Sequence, residues 1–83
     1  MLYMVELKYP IENREKALHY FLQHGTIGYD GHVTLVGAWV ATQDRSAYAV
    51  VESNNEEELA KACEPLEKFG EVSFRHVTSV DQL

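Results

Sequence analysis

The stretch His32–Glu52, HVTLVGAWVATQDRSAYAVVE, decides the fold. Two runs rich in Val, Ala and aromatic residues, His32–Ala41 and Ala47–Glu52, flank the polar segment Thr42-Gln43-Asp44-Arg45-Ser46. Strand-forming runs joined by so short a polar connection read as an antiparallel hairpin. On both sides of the hairpin the apolar period becomes helical. Upstream, Ala17, Leu18, Phe21 and Leu22 share one stripe of a helix spanning about Asn13–His24, while Glu15, Lys16 and Gln23 face away. Asn13 is the expected N-cap and Gly25 the expected stop. Downstream, Asn54-Asn55-Glu56-Glu57-Glu58 opens a second helix, with Asn55 and Glu58 at capping-box spacing. Its buried stripe is Leu59, Ala62, Cys63 and Leu66, and Pro65 predicts a break near Glu64.

Outside the helices lie two more strands. Leu2–Tyr9 alternates up to Pro10, and Glu71 to about Val80 closes the chain. The order is therefore β-α-β-β-α-β. This predicts an α+β, ferredoxin-like sandwich: an antiparallel four-stranded sheet with both helices on one face. Gly25–Gly31, with three glycines in seven positions, reads as a loop that reverses the chain after the first helix. It is no phosphate loop, because it follows a helix and lacks a Gly-Lys-Ser/Thr ending.

At 83 residues, residues 1–83 make one domain. Seven basic against 13 acidic side chains leave a net charge of −6, which argues against nucleic acid as a partner. The single cysteine, Cys63, excludes an internal disulfide and a Cys-based zinc site. No apolar run approaches the ~20 residues of a membrane span, and the first residues lack the basic start of a secretory signal. These features point to a cytoplasmic domain with no membrane partner. No cofactor motif is present.

A sheet covered on one side should alternate apolar and polar residues. Here both faces carry apolar mass. Tyr3, Val5 and Leu7 oppose Leu2 and Met4; Leu35 and Trp39 oppose Val36, Ala38 and Val40; Ala47, Ala49 and Val51 oppose Tyr48 and Val50. Two helices can cover only one face, so the other is expected to meet a second copy, sheet against sheet.

Tyr3-Met4-Val5-Glu6, Asn13-Arg14-Glu15, Gly37-Ala38-Trp39 and Ala49-Val50-Val51-Glu52 resemble a small bacterial family of uncharacterised domains, placed in the dimeric α+β-barrel superfamily. The resemblance covers nearly the whole chain. It implies a homodimer whose barrel encloses a pocket. Some relatives in that superfamily are cofactor-free monooxygenases, haem-degrading enzymes or lactone isomerases, and others have no known chemistry.

The candidate ligand-binding residues are Met4, Glu6, Trp39 and His76. Glu6 interrupts an apolar strand; enclosed, its carboxylate could serve as a general base, and otherwise it reaches solvent or pairs with Lys8 or Arg75. Trp39 lies two residues after Gly37, where a bare glycine beside a flat ring could leave space for a planar ligand; alternatively it anchors a core or interface. His76 could shuttle a proton or bind haem iron, or simply be an exposed strand residue. His19 and His24, five apart, do not form a helical metal pair, and no motif requires His24, Asp30 and His32 to meet at a metal. Glu52 fits a strand-end salt bridge or a surface position, and Cys63 fits inert packing. Two functional readings follow. One is a homodimeric small-molecule-binding or interaction module with its pocket at the open sheet face and a small apolar or aromatic ligand. The other is a cofactor-free monooxygenase or isomerase acting on a small aromatic or lactone-like substrate, which requires Glu6, Trp39 and His76 to converge.

Overall fold

In a computed structural model, which describes the backbone of residues 1–23, 26–27 and 33–83 and the side chains of 1–20 and 33–83, the chain follows the β-α-β-β-α-β order. The strands are β1 (Leu2–Lys8), β2 (Thr26–Ile27), β3 (Val33–Ala41), β4 (Ser46–Ser53) and β5 (Glu71–Val77). The helices are α1 (Arg14–Gln23) and α2 (Glu56–Cys63). Strands run β2-β3-β4-β1-β5 across the sheet, with antiparallel neighbours throughout. β4 separates β1 from β3, and β1 separates β4 from β5, so the two β-α-β halves interlock. The four long strands are those read from the sequence. The two-residue β2 is an addition: it pairs with Val33 and Thr34 inside a segment that reads as loop. Two residues are too few to carry a periodic signal.

Register sorts the side chains. Tyr3, Val5 and Leu7 stand opposite Val51, Ala49 and Ala47 on one flank and His76, Phe74 and Val72 on the other. All of β1 and β4 in this set are buried, and they form the core with Tyr9, Ala17, Leu59, Ala62, Cys63, Leu66 and Phe69. The helices lie on this side. In β3 the pattern departs from simple alternation. Leu35 pairs with Val51 but Gly37 pairs with Val50, so Val36 is an extra residue, a β-bulge. One inserted residue moves everything after it to the other face. Leu35, Ala38 and Val40 thus share the helix side, while Gly37 and Trp39 point away. The expectation that Leu35 and Trp39 share a face is corrected accordingly.

Helix boundaries follow local chemistry in α2 and depart from it in α1. Asn55 Oδ1 accepts the Glu58 N–H at 2.8 Å, capping α2 as its sequence predicts. The α-helix stops at Cys63, and Glu64–Lys68, containing Pro65, continues as a 3-10 turn. Asn13, by contrast, is no cap. The chain enters α1 through a 3-10 turn at Ile11–Asn13, and the Asn13 amide donates to the Phe69 carbonyl at 2.9 Å. Asn13 ends a 3-10 turn that runs directly into the helix, so it does not occupy an extended capping position. The expected stop at Gly25 and the residues His24, Asp30 and His32 lie outside the described residues. β5 ends at Val77, short of Val80, which sits 83% exposed in a last 3-10 turn at Val80–Gln82. No helix among the described residues is long and apolar enough to cross a membrane.

Candidate functional site

The open face of the sheet carries the other half of each strand's alternation. One row across it runs Trp39, Tyr48, Glu6, Ser73, and the next runs Gly37, Val50, Met4, Arg75. Where the two rows meet over β4, β1 and β5, a depression of about 150 Å³ is lined by Met4, Glu6, Tyr48, Ser73 and Arg75. Met4 in its lining is 37% exposed, and Trp39, beside Tyr48 on the same face, is 59% exposed. Inside are one carboxylate, one guanidinium and two hydroxyls. Glu6 is half-buried and makes no ion pair within 4 Å among the described residues. Such a set can hold a small polar molecule through both donors and acceptors.

Of the four candidate residues, Met4 and Glu6 line this depression together, and Trp39 stands one strand further along the same face. The space expected above Gly37 is filled. A Cβ on Gly37 would lie 2.8 Å from Cη2 and 3.2 Å from Cζ2 of Trp39, so the indole itself covers the glycine. A planar ligand has no vacancy there. His76 is not part of the group. It pairs with Tyr3 in the register, and its ring centroid is 5.5 Å from that of Tyr3, on the helix side. It borders a separate recess at the strand ends with Met1, Leu2 and Glu52. Arg75 occupies the position toward the depression that the sequence reading gave to His76. Tyr48, Ser73 and Arg75 were the residues missed. The signal for the last two was available: Val72 and Phe74 continue the inward apolar set, so Ser73 and Arg75 fall on the other face.

A family model for a domain of unknown function, DUF3303, matches residues 1–83. The chain belongs to this family. Comparison with curated proteins and with solved structures gives no match.

Two further reactive side chains of this DUF3303 domain, Glu52 and Cys63, have structural surroundings. Glu52 meets the Met1 amino group at the end of β4, the strand-end salt bridge its position suggests. Cys63 is 2% exposed, and burial, with Glu67 adding to it, pushes its thiol up to about 11. A thiol held protonated in this way is packing material rather than a nucleophile.

Proposed function

We propose that this DUF3303 domain acts as a homodimer, sheet against sheet, that shelters a small molecule between the two open faces. The observation that carries this reading is the exposure of two large apolar side chains, Met4 and Trp39, on the sheet face that holds the polar depression. Solvent contact with large apolar side chains is unfavourable, and a second copy removes it at both faces at once. The molecule measures 37 × 28 × 18 Å, so its broad side suffices for the roughly 800 Å² per partner of a standard interface. Two depressions facing each other across the two-fold axis would merge into one enclosed pocket, with Glu6 and Arg75 supplying charge and Tyr48 and Ser73 supplying hydroxyls. That arrangement is the dimeric barrel implied by the family resemblance. A catalytic role has weaker support, because among the described residues Glu6 is the lone carboxylate lining the depression and His76 lies on the opposite side.

Sedimentation velocity at low micromolar protein tests the assembly. The expected species has twice the 9.5 kDa chain mass, and Trp39→Glu reduces it to the monomer without unfolding it. A folded wild-type monomer under these conditions refutes the dimer and the shared pocket together.

A further inference from the structure

On the other side of the molecule, where α1 meets the 3-10 turn that follows α2, there is a second concavity. It has a volume of about 450 Å³ and is lined by Asn13, Lys16, His19, Tyr20, Lys68 and Phe69. That volume lies within the roughly 300–1,000 Å³ range of small-molecule sites. We propose that this groove binds a small aromatic carboxylate, a role independent of the open sheet face.

Charge is the first argument. The chain as a whole carries −6, yet two of its seven Lys and Arg residues, Lys16 and Lys68, face this one groove. No acidic side chain among the described residues lines it. An anion entering here therefore meets two ammonium groups and no lining carboxylate among the described residues. His19 adds an imidazole, which presents at least one N–H donor in either ring form.

The second argument is the apolar wall. The rings of Tyr20 and Phe69 lie 5.8 Å apart at a 58° tilt and form the apolar floor of the groove, with Phe69 buried in the core and Tyr20 half-buried against it. Lys68 Nζ lies over the Phe69 ring, 5.3 Å from its centroid, which holds the cation at the apolar floor of the groove. Burial, with Cys63 adding to it, raises the Tyr20 phenol above its ordinary 10.0, which keeps it an uncharged O–H near an incoming anion. Helical periodicity turns Lys16 outward and gives no hint of a partner, because Lys68 arrives from the far end of the chain.

The third argument is preorganisation. The Asn13 amide, donating to the Phe69 carbonyl at 2.9 Å, ties the start of α1 to the 3-10 turn and fixes the two walls relative to one another. A groove held open in the free protein loses less ordering entropy on binding than one that must form.

Titration of the full chain with 2-naphthoate, followed by backbone amide NMR, tests the proposal. Saturable shifts are expected at Lys16, His19, Lys68 and Phe69. The neutral isostere 2-naphthalenemethanol and inorganic phosphate, which lacks the ring, should each bind at least about tenfold more weakly. Lys16→Gln combined with Lys68→Gln should raise Kd by about tenfold or more while leaving the unliganded spectrum folded, since both lysines are exposed. Trp39→Glu, which disrupts the proposed dimer face, should leave naphthoate binding unchanged. Equal binding of the alcohol or of phosphate, survival of binding in the double variant, or no saturable shift up to millimolar naphthoate would overturn the proposal. Shifts centred instead on Met4 and Glu6 would also overturn it, and would assign the ligand to the open face.

Discussion

The indole of Trp39 covers the backbone of Gly37, two residues earlier in the same strand, with Cη2 at 2.8 Å from where a glycine Cβ would stand. The obstructing atoms are the far end of a side chain that is 59% exposed, so the ring can yield. Gly37→Ala should therefore cost no more than about 1 kcal/mol in urea unfolding while displacing the indole. Its tryptophan emission should shift, and its sedimentation should show weakened self-association. A loss of several kcal/mol would mean that the ring is held rigidly by the protomer itself.

Gly70 presents the opposite case. A Cβ there would stand 2.0 Å from the Lys8 carbonyl oxygen and 2.9 Å from the Tyr9 Cα, and backbone cannot step aside as a ring can. Gly70→Ala should destabilise by about 3 kcal/mol or more, a large share of the stability of a small domain. Chemical denaturation of the purified variant checks this, and a near-neutral result would show that β1 and the turn before β5 are not held in contact.

Asn55 contributes through a single hydrogen bond to the Glu58 N–H at the start of α2. Asn55→Ala should lose about 1 kcal/mol and Asn55→Gly only a few tenths, since glycine is itself an acceptable cap. Parallel thermal unfolding of the two variants separates a lost cap from a general surface effect.

Cys63 should leave a signature in alkaline stability. Its thiol is pushed from an ordinary 9.0 to about 11 by burial and by Glu67, so the folded chain keeps the proton after the unfolded chain has lost it. The unfolded state then binds fewer protons, and stability falls with rising pH. The contribution is unaffected well below 9 and is lost progressively between about 9 and about 11. Against Cys63→Ala, the stability advantage of the wild type should shrink across that window. At neutral pH, native protein should react with maleimide far more slowly than urea-unfolded protein.

Much of the fold was legible because its signals are local. The capping pair Asn55 and Glu58, the break before Pro65 and the alternation of Tyr3, Val5 and Leu7 each depend on residues within a turn or a strand of one another, and each appears where the sequence places it. The open face was legible in the same way, through Met4 and Glu6. Ser73 and Arg75 were equally within reach, since His76 shares the parity of Phe74 and not of Arg75.

What the amino-acid order alone determined is the four long strands, the two helices and the inner face of β1 and β4, because helical and strand periods are properties of neighbouring residues. The tertiary structure alone decided the rest. The bulge at Val36 exists only in the pairing of β3 with β4, and it sends Trp39 to the open face. The amide of Asn13 donates to a carbonyl 56 residues away, a partner no local pattern announces. Lys16 and Lys68 became neighbours of one groove only when the 3-10 turn packed against α1. In each case the deciding contact joins residues distant in sequence, and no local period carries information about which distant partner will arrive.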